Sequence, residues 1–212
     1  MPVTLYSSGS FFNLAKRACE RSKIDSTESV VALVFSAMSI EVLLNEIVEI
    51  ASSQVRSIDQ PEEVSMFAMV LSDLEKQRAQ IDLKIQVGYY ILTRRRLDKG
   101  SLPYQDFDLL IDIRNALVHK KPEKFELLLS TPIPDRKYKP HNFVKRLADR
   151  KVIPLPAVYE PPDWQMYVSC PEVADWSYYT ALQMAKLLVS LFPEGRLGEM
   201  LQVMYEHRLQ DN

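Results

Sequence analysis

Apolar side chains recur with helical spacing along most of this chain. The clearest stretch follows residues 25–28, Asp-Ser-Thr-Glu, which are spaced like a capping box, and it keeps its helical character to about residue 53. Amphipathic stretches follow over residues 61–77 and 81–97, and the second of these ends near Gly100. The pattern predicts packed helices, with the stretch before residue 53 at their centre.

The second half of the chain alternates between helical patterns and prolines. Pro103 opens a helix over residues 104–121, which Pro122 stops, and helicity returns over residues 172–192 and again after Gly195. Nine of the thirteen prolines lie between positions 122 and 171, which predicts a loop-rich excursion with one short helix near residues 142–149.

The predicted architecture is therefore all-α: a single domain spanning residues 1–212, built as an antiparallel helical bundle. A proline-rich, loop-rich insertion over residues 123–170 precedes the C-terminal helices. Only five glycines in 212 residues disfavour a β-sandwich or barrel, which needs many tight turns.

The cysteines, the first residues and the apolar run of this chain indicate its cellular compartment. Cys19 and Cys170 form no CxxC pair, which argues against a zinc ribbon or a disulfide scaffold and favours a reducing compartment. The first thirteen residues lack the basic and apolar regions of a secretory signal. Polar residues interrupt the most apolar run and leave too short a charge-free stretch for a membrane span; they are Glu41, Asn45, Glu46 and Glu49. We expect a soluble, cytoplasmic protein.

Charge is distributed unevenly along the chain. The net charge is −2, but residues 94–151 hold 15 basic and 8 acidic groups, a local excess of +7. Candidate RNA contacts in or near this block are Arg94, Arg95, Arg96, Lys120, Lys121, Arg136, Lys137 and Lys139. Tyr138, His141 and Phe143 lie among the later ones and would suit base stacking. The alternative to RNA binding is that these residues belong only to a solvated helix end or to a plain surface loop.

The helix over residues 104–121 carries the candidate chemistry. Arg114 falls within an apolar stripe made by Phe107, Leu110, Ile111, Leu117 and Val118. A guanidinium there needs an anionic partner, either an internal carboxylate or a phosphate from outside. Glu41 is one candidate, with Asn45 one turn further along the central helix.

A polar edge runs along the same helix and includes Asp108, Asp112, Asn115 and His119. Arg114 and His119 lie roughly 140° apart around a regular helix and about 7.5 Å apart along it, so they do not converge within one helix. Fraying of the helix before Pro122 would change this, and so would a second copy of the chain: in a two-fold homodimer built on this helix, each groove could receive the Arg and the His of both chains.

These residues resemble a known family. The segment over residues 106–122, DFDLLIDIRNALVHKKP, is similar to the Arg-polar-x3-His signature of HEPN domains, small all-α domains of prokaryotic defence and toxin systems. Residues 35–46 are similar to the upstream helix of many such domains, and residues 176–188 resemble their C-terminal helix. Residues 123–165 match no pattern of that family.

The resemblance implies a metal-independent endoribonuclease that acts on RNA as a homodimer, without a cofactor. Arg114, Asn115 and His119 would be its catalytic residues, supported by Glu41, Asn45 and Asp112. It also implies restraint by an antitoxin or by a nucleotidyltransferase-like partner. The three histidines form no metal-binding motif, so we expect no metal site.

Two other interpretations stay open. A non-catalytic HEPN-like module could bind RNA, a nucleotide or a partner protein through Arg114 and the basic block. A structural dimerisation bundle would use Arg114 and Glu41 only as a brace between two helices.

Overall fold

The computed structural model describes residues 7–54, 61–119, 141–155, 163–193 and 195–210. Within these ranges the protein is helical and contains no β-strand, which confirms the predicted all-α class. The helices are α1 (Ser8–Ser22), α2 (Glu28–Gln54), α3 (Glu62–Lys76), α4 (Ile81–Thr93), α5 (Tyr104–Val118), α6 (Asn142–Asp149), α7 (Trp164–Val168), α8 (Pro171–Ser190) and α9 (Arg196–Gln210).

Two predicted helices end earlier than their apolar patterns suggest. Helix α4 stops at Thr93 because Arg94 adopts the left-handed conformation, with φ 56°, and its N–H donates to the Tyr90 carbonyl. Helix α5 stops at Val118, and His119 serves as its C-cap. The predicted last turn, with Lys120 and Lys121, lies outside the described residues.

The described parts of the predicted insertion are more ordered than its prolines suggest. Helix α6 has the predicted bounds, whereas α7 was not expected. Val144, Leu147, Trp164 and Val168 are buried against apolar residues of α2, α5 and α8. These portions therefore belong to the core, because their apolar side chains cover the side of α5 that would otherwise be exposed.

Helix α2 is the centre of the molecule and contacts α1, α3, α5, α8 and α9. Its 27 residues span about 40 Å at 1.5 Å per residue. Within Glu28–Ser53 an 18-residue segment has a mean hydropathy of 1.9, so this helix could cross a membrane by length and composition alone. Just over half of that segment is buried inside the protein, and the core helix of a soluble bundle passes the same test. The cytoplasmic location stays a prediction.

The apolar clusters show the directions of α1 and α8 relative to α2. Ala32, near the start of α2, packs with Cys19 at the end of α1 and with Ala174 at the start of α8. The later half of α2, from Ile40 onward, shares a cluster with Phe12 of α1 and with residues 181–188 of α8. Helices α1 and α2 are thus antiparallel, whereas α2 and α8 run in the same direction.

A buried carboxylate joins three helices. Glu46 of α2 accepts hydrogen bonds from the backbone N–H groups of Ser7 and Ser8, from the Ser8 hydroxyl at 2.5 Å and from the Tyr205 hydroxyl at 2.8 Å. The α1 N-terminus supplies N–H groups and a partial positive charge, which offset the cost of burying this charge. Glu46 therefore fixes α1 and α9 on the central helix.

Helix α5 packs against α2 and α8, with α6 on its other side. Its buried side chains are Tyr104, Phe107, Leu109, Leu110 and Ile113. The predicted stripe was partly wrong, because Val118 is 57% exposed whereas Leu109 and Ile113 are buried. Helices α6 and α7 cover one side of α5, which adds Leu109 to the core. Arg114 is left at the margin of the apolar face.

Candidate functional site on helix α5

A groove opens between α2, the start of α4 and the outer face of α5. It encloses about 220 Å³. Its lining residues are Glu41, Gln80, Ile81, Asp82, Phe107, Asp108, Ile111, Asp112, Arg114 and Asn115. We call this the α5 groove. It brings together four of the predicted site residues: Arg114, Asn115, Glu41 and Asp112.

Arg114 has two internal partners. Its Nη2 donates to the Glu41 carboxylate, and its Nη1 donates to the Asn115 side-chain oxygen at 2.9 Å. The ion pair with Glu41 is one of the two partners expected from the sequence. A guanidinium has five N–H donors, so these two bonds leave three for other acceptors. Arg114 is 19% exposed, and its remaining donors lie beside the groove rather than sealed in the core.

The groove is acidic. Four carboxylates line it (Glu41, Asp82, Asp108 and Asp112), against the single guanidinium of Arg114. Arg146 of α6 pairs with Asp108 and Asp112 from outside, and Lys99 lies 3.9 Å from Asp82. An incoming phosphate would meet Arg114 but would also meet several negative charges within a few ångströms. One chain alone therefore provides poor electrostatic support for a bound phosphodiester.

His119 lies outside the groove lining. It is exposed at the C-terminus of α5, where its backbone N–H donates to the Asn115 carbonyl at 2.9 Å. Arg114 lines the groove whereas His119 does not, which agrees with the roughly 140° that separates them around a regular helix.

Asn45, the other predicted supporting residue on α2, lies away from the candidate site. It is exposed and does not line the α5 groove. Glu41 itself is 36% exposed. Glu41 and Asn45 therefore do not form a buried polar pair, because Glu41 lines the groove and Asn45 is exposed away from both the groove and the core.

Asp112 has a partner that the sequence reasoning missed. Arg146 donates to Asp112 at 2.6 Å and to Asp108 at 2.9 Å, and Arg150 donates to Asp106 at 2.6 Å. The signal was present as three aspartates along one helix and two arginines four residues apart on another. Only the tertiary fold shows that the two rows face each other.

The candidate RNA contacts divide into two groups. Arg94, Arg95 and Arg96 are exposed and form no ion pair with a described residue. The remaining five lie outside the described residues; they are Lys120, Lys121, Arg136, Lys137 and Lys139.

Two aromatic residues of the basic run, His141 and Phe143, pack against Trp164, and the third, Tyr138, lies outside the described residues. His141 stacks on Trp164 with ring centroids 5.4 Å apart, and Phe143 meets the same ring edge-on at 5.2 Å. Trp164 is buried, and Trp176 and Tyr178 pack against the core, whereas Tyr179 is 62% exposed. His141 and Phe143 are half-buried and their rings cover Trp164, and the base-stacking role considered for them stays a prediction.

The cysteines offer no nucleophile. Burial raises the pKa of the Cys19 thiol to about 12, and burial also raises the pKa of Cys170. Both stay protonated near neutral pH, and the thiolate is the reactive form. Among the described residues, no group of three His, Cys, Asp or Glu side chains could hold a metal ion.

Comparisons with family models, with curated proteins and with solved structures find no match to this chain.

Proposed function

We propose that this protein is a metal-independent endoribonuclease of HEPN type, with a composite site formed by two copies of the chain. The observation that carries the proposal is the position of Arg114, which lines an open groove and keeps donors free, on the same helix as the exposed His119. The residues around them resemble the HEPN signature. The biological role we propose is that of a toxin or effector in a prokaryotic defence or toxin-antitoxin system.

The chemistry assigns one task to each side chain. His119 of one chain accepts the proton of a ribose 2′-OH while that oxygen attacks the adjacent phosphorus. The phosphorus–oxygen bond to the next nucleotide breaks, and the second chain's imidazolium protonates the leaving 5′ oxygen. The products are a 2′,3′-cyclic phosphate and a 5′-hydroxyl.

Arg114 would stabilise the charge that develops during this step. Its planar guanidinium can bind two phosphate oxygens at once, which an ammonium group cannot do in the same geometry. Asn115 accepts a bond from Arg114 and so helps to hold the guanidinium in the groove. To bind substrate, Arg114 must share its donors between Glu41 and the phosphate.

The test is cleavage of RNA by purified protein in the presence of EDTA. We expect 2′,3′-cyclic phosphate ends, and we expect His119→Ala to lower the rate by on the order of 10² to 10⁴. Val118→Ala is the matched control, because Val118 is the exposed neighbour at the same helix end. Equal rates for wild type and His119→Ala would reject the site.

A second function is favoured by one observation: Arg114 is tied to Glu41 and separated from His119. A non-catalytic module could use the same guanidinium to bind RNA, a nucleotide or a partner protein. It predicts binding that weakens with salt and no bond cleavage. Loss of binding in Arg114→Ala, together with an inactive wild type, would establish this alternative.

A further inference from the structure

One face of the central helix α2 is apolar and only partly covered by the described chain. Its apolar residues follow one another at intervals of four and form a stripe along the helix; they are Val30, Val34, Met38 and Val42. All four are half-buried, and none of the apolar clusters formed by the described residues includes them. We call these four residues the α2 stripe.

The outer face of a helix in a soluble bundle is normally polar. From residue 30 to residue 44, however, Glu41 is the only charged side chain of α2, and both serines are buried. The exposed polar surface of the helix begins at Asn45 and continues at Glu49. The α2 stripe therefore offers apolar side chains where water would favour polar ones, which is typical of a protein contact.

Helix α5 runs beside α2 in the opposite direction. Phe107, near the start of α5, shares an apolar cluster with the later half of α2. Leu117, near the end of α5, packs against the cluster that contains Leu33, from the first half of α2. The C-terminal end of α5 therefore lies toward the first half of α2.

The ion pair between Glu41 and Arg114 fixes the level of α5 along α2. Glu41 follows Val34 by seven residues, so it lies at the edge of the α2 stripe. His119 follows Arg114 by five residues, which is about 7.5 Å along α5. Because the two helices run in opposite directions, His119 lies about level with residue 36, the midpoint of the stripe.

We propose that the α2 stripe is the contact between two copies of this chain, which pack in opposite directions about a two-fold axis that passes at residue 36. The apolar side chains then meet in register, since Val30 faces Val42 of the second copy and Val34 faces Met38 of the second copy. This inference rests on the homodimer of the proposed function and specifies its face.

This symmetry would assemble the composite site. A two-fold axis perpendicular to the paired α2 helices reverses their direction and leaves both α5 helices on the same side of the pair. The two His119 residues would then lie near the axis, with one Arg114 about 7.5 Å away along α2 on either side. A phosphodiester bound near the axis could meet the imidazoles of both chains and a guanidinium.

A second copy explains the α2 stripe better than a lipid surface does. An 18-residue segment of α2 is apolar enough to span a membrane by length and composition alone. Glu41, Asn45 and Glu49 lie on the same side of the helix, however, and carboxylates are costly to place against lipid. In the proposed pair each Glu41 keeps Arg114 as its partner, and the other two residues lie beyond the apolar contact.

The test is the oligomeric state, measured by sedimentation velocity over a dilution series. Met38→Asp should raise the dimer dissociation constant at least about tenfold, because it places a charge near the centre of an apolar contact. Met69→Asp is the matched control, since Met69 is a methionine of α3 with 62% exposure, and it should leave the constant unchanged. Circular dichroism shows whether both variants are folded.

Disulfide formation tests the register. When Val34→Cys and Met38→Cys chains are mixed under mild oxidation, they should form a covalent dimer that contains one chain of each, because the two positions face each other across the axis. Val203→Cys mixed with Met38→Cys is the control and should not cross-link, since Val203 is exposed on α9. This test keeps uncharged side chains, so it stands even if Met38→Asp unfolds the protein.

Three results would overturn the proposal: a monomeric wild type, a dimer that folded Met38→Asp leaves intact, or cross-linking no stronger than in the control. A monomeric wild type that sediments with vesicles of phosphatidylcholine and phosphatidylglycerol would assign the α2 stripe to a membrane instead. None of these readouts depends on RNA cleavage. A dimer across the α2 stripe that leaves RNA uncut would therefore refute the proposed function alone.

Discussion

Helix α5 forms ion pairs on two sides. The arginines on the two sides differ in whether their remaining donors could bind an anion from outside the protein. On the α6 side, Arg146 binds two aspartates, and Arg150 binds Asp106 and two backbone carbonyls. On the α2 side, Arg114 binds one glutamate and its own neighbour in sequence. Arg146 and Arg114 each form two of these bonds, but Arg114 lines the α5 groove and Arg146 does not, so the remaining donors of Arg114 lie beside open space.

This difference distinguishes an arginine that only holds helices together, here called a brace, from one that can exchange its internal partner for an outside anion. An arginine whose acceptors all belong to the fold contributes to stability, and its loss leaves a carboxylate unpaired. An arginine that shares one half-exposed carboxylate next to a cavity can bind an outside anion at a small cost to the fold. Substitutions on the two sides should therefore change different properties.

The largest effect on stability is expected at Arg150. Arg150 and Asp106 are only 18% and 21% exposed, so Arg150→Met leaves a mostly buried carboxylate without its cation. We expect the free energy of unfolding to fall by about 2–3 kcal/mol. Urea denaturation followed by circular dichroism measures this loss. Lys76→Met removes an exposed pair of α3 and should leave the midpoint unchanged.

A smaller loss is expected at Arg146. Its two partners, Asp108 and Asp112, are nearly half exposed, so water can solvate them when the guanidinium is removed. Arg146→Met should lower the free energy of unfolding by about 1 kcal/mol in the same assay. A loss as large as that of Arg150→Met would show that both α6 arginines act as buried braces.

The helices after residue 28 could mostly be predicted from local patterns, whereas α1 (Ser8–Ser22) was not predicted. Helices α2, α3 and α6 have nearly the predicted bounds, because their caps, prolines and apolar spacing agree with one another. Helix α4 ends early for a reason that the pattern does not contain: Arg94 adopts a left-handed conformation in spite of its side chain. Helix α7 was missed because five residues are too few to show a period.

The site was predictable only in part. The pairing of Arg114 with Glu41 follows from the cost of leaving a charge unpaired at the edge of the core. The acidic character of the α5 groove was not predictable, because Asp82 comes from another helix and only packing brings it to Asp108 and Asp112. The local excess of +7 over residues 94–151 is misleading for the same reason, since Arg146 and Arg150 are engaged by α5.

The smallest effect on stability, and the clearest test of the comparison, is expected at Glu41. Glu41→Gln removes the charge opposite Arg114 but keeps a side chain of the same length, so the free energy of unfolding should change by less than about 1 kcal/mol. RNA binding should become several-fold tighter, because the groove loses one negative charge and Arg114 loses its competing carboxylate.

Asp73→Asn is the control for this variant, since it changes the net charge equally at an exposed position of α3. Filter binding or fluorescence anisotropy at one fixed salt concentration measures both variants against wild type. If Glu41→Gln destabilised the protein as much as Arg150→Met and left RNA binding unchanged, Arg114 would be a brace like the α6 arginines. The distinction between the two sides of α5 would then disappear, because both would serve only to hold neighbouring helices together.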